Sequence, residues 1–216
     1  MNTRCVVAIF VGCLLFLSGC GSSQELQPIS GTYEVNSSAS SVKFTSIKNG
    51  DLAVTGKFNK VQGSVTIPSD GALSGSRGSF KLDLSSIETG LDVRNQNIVD
   101  TFFRIPSNKQ FRYASFSFDS VKTQQSRLTN TNSPTEVGAS GSMTLAGETV
   151  DTFVPLRVTR TGEDTLRITS RTPWVLSIKK FGLSGPLQAL MEVCGHKDVS
   201  DAVPLTFDLQ LTKTTS

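Results

Sequence analysis

Histidine, tryptophan, tyrosine and cysteine are all scarce in this chain of 216 residues, which contains one, one, two and four of them respectively. The single histidine, His196, excludes a metal site built from several histidines, and any catalytic triad would depend on that one residue. The charges are nearly balanced, with 21 basic and 18 acidic residues. The composition therefore gives no sign of a nucleic-acid partner or of a strongly basic membrane-binding surface.

The four cysteines are also unevenly placed. Cys5, Cys13 and Cys20 lie within the first twenty residues, and Cys194 is far from all of them. A framework of disulfides is therefore excluded. By contrast, the thirteen phenylalanines supply apolar aromatic surface without a polar group, which suits an apolar interior.

The beginning of the chain has the organisation of an export signal. Arg4 supplies a positive charge, and the apolar run from Val6 to Leu17 is too short to span a bilayer comfortably. The Leu-Ser-Gly-Cys sequence that ends at Cys20 resembles the lipobox of bacterial lipoproteins, which implies cleavage before Cys20 and acylation of that residue. The alternative is an ordinary secretory signal with a chance cysteine. We predict a signal peptide over residues 1–19 and a lipid anchor at Cys20.

Residues 20–29 are small and polar, and they are interpreted as a flexible tether between the anchor and a folded domain. Gly21 stands where an aspartate would retain a lipoprotein in the inner membrane. The resemblance to lipoproteins therefore implies the periplasmic side of the outer membrane, with the inner membrane as the alternative.

Alternation of apolar and polar residues dominates the chain from Gly31 onward, which is typical of half-buried antiparallel strands. Nine or ten such segments with short connections predict one all-β domain, either a closed barrel or a sandwich. An outer-membrane barrel is a third possibility. The lipoprotein leader, the lack of tryptophan and tyrosine girdles and the helical insertions argue against it.

Two segments interrupt this pattern with helical spacing. In the first, residues 86–103, Thr89 and Asp92 have the spacing of a capping box, and the segment ends in Phe102 and Phe103. In the second, Leu187, Leu190, Met191 and Cys194 form an apolar stripe between Ser184, a candidate cap, and the terminating Gly195. We interpret the first segment as a plug for an apolar container and the second as a lid or packing helix.

Few residues offer chemistry. Glu88 and Asp92 could form a pair of carboxylates for acid–base catalysis, but their position at a helix start favours capping. Cys194 and His196 could bind a metal or form a reactive thiol, but a buried structural cysteine followed by a helix-end histidine is favoured. Arg94 could donate to a ligand oxygen or to carbonyls at a strand end, and the residues favour neither. We predict no catalytic residues, no metal site and no cofactor.

Several motifs occur in an order that resembles the YceI-like family, and the likeness runs from Ser30 to Lys213. The first group is Gly31-Thr32-Tyr33-Glu34-Val35, Val42-Lys43-Phe44, Val54-Thr55-Gly56-Lys57-Phe58 and Gly63. The central group is Ser86-Ile87, Thr89-Gly90, Arg94-Asn95, Phe102-Phe103, Phe111 and Ala114-Ser115-Phe116. The last group is Gly141-Ser142-Met143-Thr144-Leu145-Ala146-Gly147 with Val154-Pro155-Leu156.

The resemblance implies an extended antiparallel lipocalin-like β-barrel over residues 30–213, with two short helices and a bore that holds an isoprenoid chain. The chain departs from the family pattern at Asn95 and at Asn97-Ile98, where the family has aspartate and a His-Leu pair, and in the C-terminal insertion carrying Cys194 and His196. These departures bear on recognition of a ligand head group and on the lid.

Together, the residues and the resemblance predict a lipid-anchored barrel that binds or carries an apolar ligand, a polyisoprenoid or quinone-like lipid. The alternatives are a partner-binding module with a filled core, and a hydrolase or isomerase using His196, Glu88 or Asp92. A dimer is left open. Although any one aromatic residue could simply be core, we predict that the following residues line or gate the bore: Phe44, Phe58, Ile87, Arg94, Phe102, Phe103, Phe116, Phe118, Trp174 and Phe181.

Overall fold

A computed structural model describes residues 27–214 of the chain, so the predicted signal peptide and Cys20 lie outside the described residues. Its twelve strands, all in one sheet, are β1 (Gly31–Val35), β2 (Ser41–Lys48), β3 (Leu52–Phe58), β4 (Val61–Ile67), β5 (Arg77–Asp83), β6 (Ile87–Glu88), β7 (Tyr113–Thr123), β8 (Pro134–Leu145), β9 (Glu148–Arg160), β10 (Thr165–Ser170), β11 (Trp174–Ser177) and β12 (Ala202–Lys213). The helices are α1 (Asp92–Asn97), which continues into a π-helical turn (Ile98–Phe102), and α2 (Ser184–Cys194). Short 3-10 turns occupy Ser37–Ala39, Leu73–Gly75, Leu84–Ser86, Lys109–Arg112 and Ile178–Phe181.

Eight of the strands close into a ring. They follow the order β1, β4, β5, β7, β8, β9, β10 and β12, and β12 pairs with β1 from Tyr33↔Lys213 to Val35↔Leu211. Every neighbouring pair in this ring is antiparallel. The fold is therefore the all-β antiparallel barrel predicted from the sequence, and the sandwich alternative is wrong.

The four remaining strands lengthen the barrel beyond the ring. The first half of β12 pairs with β11 and β2, β2 pairs with β3, and β3 pairs with β6. The alternating stretch from Leu166 to Ile178 forms three pieces, because β10 and β11 pair with different halves of β12 and Ile178 begins a 3-10 turn. This division makes the barrel longer than the ring, as the family resemblance implied.

The longest hairpin, β8–β9, turns at Ala146-Gly147, and both residues have positive φ (51° and 89°). Such two-residue turns match the twist of antiparallel strands, and glycine relieves the strain at the second position. Glu148 follows this turn directly and already pairs with Leu145.

The interior divides into two apolar clusters, one at each end of the barrel. The first contains Tyr33, Leu166 and Leu211, and it extends to Leu128 in the loop between β7 and β8. We call this the closed end. The second contains Phe103, and α1, the π-helical turn and α2 cover it; we call this the helical end. Most residues between β7 and β8 are exposed, but Leu128 is only 2% exposed and fills the closed end.

Both helix starts differ from the sequence predictions. The N-cap of α1 is Leu91, with no side-chain cap, and the Thr89 hydroxyl instead donates to Asn95 Oδ1 (2.7 Å), so the predicted capping box is wrong. Likewise α2 starts at Ser184 and has Leu183, without a side-chain bond, as its N-cap. The predicted end of α2 is confirmed, because Gly195 adopts a left-handed conformation (φ 66°).

The last residues of the predicted tether pack against the barrel. Ile29 is 3% exposed and belongs to the apolar cluster of the closed end. The Gln27 carbonyl accepts a hydrogen bond from Arg160 (2.7 Å). Residues 27–29 are therefore part of the folded domain, and the prediction of a flexible tether over them is wrong. Over the described stretch of the chain, neither helix has the length and apolar content required to cross a membrane.

Candidate functional site

Three cavities lie in a row along the barrel axis. The upper cavity, at the helical end, has a volume of about 140 Å³, and Ser46 and Ser200 are its only polar lining residues. The middle cavity has a volume of about 120 Å³ and shares Leu82, Ala114, Met143 and Leu205 with the upper one. The lowest has a volume of about 40 Å³ and shares wall residues with the middle one. The barrel therefore contains an apolar bore that side chains partition.

The alternating pattern of β7 explains how aromatic residues reach this bore. Successive side chains of a strand point to opposite faces, so Ala114, Phe116 and Phe118 all point inward. The rings of Phe116 and Phe118 are stacked with centroids 6.0 Å apart, and Phe118 is similarly stacked on Phe80 at 6.4 Å. These rings divide the middle cavity from the lowest one.

The π-helical turn supplies the upper wall. The Phe103 amide donates to the Ile98 carbonyl (2.9 Å), which is an i→i+5 bond. This wider turn places Ile98, Phe102 and Phe103 on the wall of the same cavity. Phe103 is 6% exposed and contacts Phe58, with centroids 6.5 Å apart. The plug predicted from the sequence thus forms part of the cavity wall.

Eight of the ten predicted site residues line a cavity. Phe44, Phe58, Ile87, Phe102 and Phe103 line the upper one, Phe116 and Trp174 the middle one, and Phe118 the lowest. Phe181 is buried beneath α2 in the apolar cluster but lines none of the three cavities. That these residues contact a ligand stays a prediction.

Arg94 also lies outside the cavity walls. Its guanidinium donates to the Thr89 carbonyl (3.3 Å), just beyond the end of β6. The strand-end role is therefore present in the structure. This single long bond leaves the other N–H groups of the half-buried guanidinium for another acceptor.

Sequence reasoning missed several wall residues, among them Leu187 and Leu190 of α2 and Val199 and Ser200 that follow it. The apolar stripe of α2 predicts that the helix packs on something, but not on what. The chain after α2 has no alternation that would place it on the cavity wall. Only the tertiary fold brings it beside β2, where Val199 bridges to Lys48.

The Cys194–His196 segment differs in part from its prediction. The amide of His196 donates to the Met191 carbonyl (2.9 Å), which confirms its place at the helix end. Cys194 is only half-buried, and its Sγ lies 3.8 Å from Asn97 Nδ2. His196 Nε2 lies 3.3 Å from Lys48 Nζ. Burial, and then the charges of Lys48 and Arg94, lower the pKa of His196, so the imidazole is neutral near pH 7.

Glu88 and Asp92 do not make a matched catalytic pair. Glu88 Oε1 accepts a hydrogen bond from the Gly90 amide (2.6 Å), and this bond, followed by that of Asn95, lowers the pKa of Glu88. A lowered pKa suits a local turn and not a general acid, which needs a raised one. Asp92 lies in the first turn of α1. Within residues 27–214 there is no cluster of three or more histidine, cysteine, aspartate or glutamate residues able to hold a metal ion.

The fold and its bore define an extended antiparallel β-barrel of the lipocalin-like class, whose cavities are lined mainly by apolar residues. The family model of the YceI-like domain matches residues 33–211. The chain therefore belongs to the YceI-like family.

Three solved structures are similar to this chain. A polyisoprenoid-binding domain from Saccharophagus degradans, implicated in plant cell wall breakdown, has a TM-score of 0.71 and 21% identity over 84% of this chain and 98% of that one. BcnA from Burkholderia cenocepacia has a TM-score of 0.64 and 18% identity, covering 82% and 98%. The YceI protein of Campylobacter jejuni has a TM-score of 0.58 and 13% identity, covering 78% and 91%. A comparison with proteins of curated function finds no match.

Proposed function

We propose that this protein binds an elongated apolar lipid, a polyisoprenoid or a quinone-like molecule, in the bore of its barrel. The observation that carries the proposal is the row of cavities along the barrel axis. The wall of the upper cavity has only two polar side chains, the hydroxyl groups of Ser46 and Ser200. Such a bore surrounds a hydrocarbon chain with apolar side chains and offers it almost no polar contact. Membership of the YceI-like family and the fold shared with a polyisoprenoid-binding domain support the same ligand class.

Burial of the tail supplies the affinity. Each Å² of apolar surface removed from water contributes about 25 cal/mol, so a long hydrocarbon chain binds without specific polar contacts. The free volume inside the barrel is small, so an entering hydrocarbon chain must displace side chains. Met143 lies between the upper and middle cavities, and its unbranched side chain changes conformation at low cost.

Mass spectrometry of lipids extracted from the purified protein tests the proposal directly. We expect a stoichiometric amount of one class of long-chain apolar lipid, released only by denaturation or organic solvent. A barrel that contains no lipid, and that takes none up from vesicles doped with a C20 isoprenoid alcohol, would contradict it.

A pair of variants on β7 localises the binding. Ala114→Phe adds a ring at the passage between the upper and middle cavities and should reduce lipid content by roughly tenfold, because the chain cannot pass it. Ser117→Phe on the same strand is the control, since Ser117 is exposed and points outward. Unfolding curves of both variants show whether Ala114→Phe is folded. Met143→Phe narrows the same passage if it is not.

The proposal includes a lipid anchor at Cys20 on the periplasmic side of the outer membrane. It is supported by the lipobox-like sequence and by the short apolar run before it. We expect metabolic labelling with a fatty acid and recovery in the outer-membrane fraction. The variant Cys20→Ala should lose both, and an unlabelled wild-type protein would contradict the anchor.

The small free volume also favours a second candidate, a partner-binding module whose barrel is filled by its own side chains. An apolar fluorescent dye separates the two functions. A lipid-binding barrel should take up the dye and release it when a C20 isoprenoid alcohol is added, whereas a filled barrel should bind neither.

A further inference from the structure

Strand β2 carries a lysine in the inward-facing register. Side chains two residues apart lie on one face of a strand, and Phe44 and Ser46 both line the upper cavity. Lys48 is the next residue on that face, at the last position of β2. Its backbone bridges to Val199, another residue of the cavity wall. The ammonium group of Lys48 therefore lies at the rim of the bore.

Further hydrogen-bond donors surround this lysine. His196 Nε2 lies 3.3 Å from Lys48 Nζ, and Arg94 is near enough for its charge to act on His196. Asn97 Nδ2 lies 3.8 Å from Cys194 Sγ, a weak acceptor. β2, α1, α2 and the segment after α2 thus bring an ammonium, a guanidinium, an imidazole and an amide to one rim.

Acceptors are few at this rim. None of Lys48, Arg94 and His196 has a carboxylate oxygen within 4.0 Å among residues 27–214. The Thr89 carbonyl accepts from Arg94 only at 3.3 Å, and the neutral imidazole is the acceptor for Lys48. Lys48 and Arg94 are thus the charged groups of this rim and neither has a carboxylate counter-ion there, so an anion that arrived would be attracted by both.

We propose that Lys48, Arg94 and His196 bind the anionic head group, a phosphate or a carboxylate, of an amphiphile whose apolar tail occupies the bore. This inference rests on the proposed function, because the tail must enter the cavity that begins at Ser46 and Ser200. It adds that the head group carries negative charge and lies between β2 and the segment after α2. An anion without a tail would gain the same charge contacts but none of the burial.

Two ligands with the same tail test the head group. Geranylgeranyl phosphate should bind roughly tenfold more tightly than geranylgeraniol, the difference arising from charge-assisted hydrogen bonds. Lys48→Met should remove most of that difference and leave the affinity for geranylgeraniol unchanged. Lys43→Met is the matched control, since it removes the same charge from an exposed, outward-facing position of the same strand.

The only imidazole of the chain provides a second readout. The C2 proton of His196 in tag-free protein gives a resonance whose titration yields its pKa. Bound geranylgeranyl phosphate should raise this pKa, because a nearby anion stabilises the imidazolium. Bound geranylgeraniol should leave it unchanged.

The outcomes separate the two proposals. If both ligands bind equally, or if Lys43→Met and Lys48→Met weaken the phosphate equally, the head-group site is wrong and the proposed function stands. If neither ligand binds, the proposed function fails and the head-group site with it. If inorganic phosphate alone binds as tightly as geranylgeranyl phosphate, the rim binds free anions and the amphiphile is wrong.

Discussion

The two ends of the barrel each hold a cation on the inward-facing side of a strand, but the hydrogen-bond partners of the two cations differ. At the closed end, Arg160 is 3% exposed and donates to the carbonyls of Gln27, Gly162 and Glu163 at 2.7, 3.1 and 3.3 Å. At the helical end, Lys48 has a neutral imidazole as its partner. The first cation is part of the folded structure, whereas the second remains available to something from outside.

This difference separates an end of the barrel that stabilises the fold from the end at which we propose that a ligand binds. Buried donors with all their acceptors in place stabilise and fix an end of a fold, and unsatisfied ones destabilise it. At the closed end Arg160 has three carbonyl partners and the apolar residues are the most buried, such as Leu166 and Leu211 at 1% exposure, although the buried hydroxyl groups of Tyr33 and Ser76 have no hydrogen-bond partner among residues 27–214. The helical end combines half-buried helices with the larger cavities. The closed end therefore stabilises the fold, and the proposed binding site lies at the helical end.

Replacing Arg160 should cause the largest loss of stability and tests the difference between the two ends most directly. Arg160→Met should lower the free energy of unfolding by about 4 kcal/mol, because three carbonyls lose their donor inside the closed end. Arg157→Met on the same strand is the control. Its side chain is 46% exposed, so we expect a loss below about 0.5 kcal/mol. Urea unfolding measures both, and equal losses would contradict the role of Arg160.

Leucine truncation compares the packing of the two ends. Leu166→Ala at the closed end should cost about 3 kcal/mol, since the residue is 1% exposed and leaves a void. Leu187→Ala on α2 should cost about 1 kcal/mol, because the residue is half-buried and already borders a cavity. Leu187→Ala should also increase uptake of an apolar dye. A larger loss from Leu187→Ala than from Leu166→Ala would reverse the comparison.

Asp83 supports the helical end, and its contribution depends on pH. Burial alone would raise the pKa of Asp83, but hydrogen bonds from Arg112 (2.7 and 3.1 Å) and Ser85 together lower it. A lowered pKa means that the carboxylate stabilises the fold above the unfolded-state pKa of about 3.9, and that this stability is lost as the pH falls through the lower folded value.

Asp83→Asn should therefore cost about 1.5 kcal/mol at pH 7, a figure reduced because the Arg112 side chain is 43% exposed. The difference from wild type should shrink below about pH 4, where the wild-type carboxylate itself becomes protonated. Asp208→Asn is the control. Asp208 pairs with Arg167 on the exposed surface, and we expect a loss below about 0.5 kcal/mol. Unfolding at pH 3, 5 and 7 provides the measurement, and a pH-independent loss for Asp83→Asn would contradict the charge argument.

The smallest effect has the opposite sign. Lys48→Met in ligand-free protein should raise the free energy of unfolding by about 0.5 kcal/mol, since it removes one of the mutually repelling charges at the rim. Lys43→Met should not raise it, because Lys43 lies near the carboxylate of Asp208. Destabilisation by Lys48→Met would mean that the lysine is a structural residue like Arg160.

The sequence predicted the strands well wherever alternation is unbroken. The run from Val137 to Leu145 became β8, and its inward residues form the core of both ends. The capping prediction failed because Asn95, six residues away, competes for the Thr89 hydroxyl, and spacing alone does not reveal that. Similarly, alternation continued through Trp174 and Leu176 without showing that the segment changes its neighbours.

The two cations show what the sequence contained but did not reveal. Arg160 continues the inward positions of Val154, Leu156 and Val158, and Lys48 continues those of Phe44 and Ser46. A charge at an inward position was therefore a usable signal for a special environment. Which environment it meets depends on residues far away in sequence, since His196 is separated from Lys48 by 148 positions. Alternation gives the direction of a side chain and not its partner.

The pairing of β12 has a consequence for how the protein comes into being. β12 is the last of the twelve strands in sequence, and it pairs with four others, β1, β2, β10 and β11. The seam of the barrel therefore cannot close before β12 has been synthesised, because the pairing of Tyr33 with Lys213 joins the first and the last of the twelve strands. Until β12 has paired with β1, the bore is a trough open along its side, and it can enclose a ligand only after that pairing.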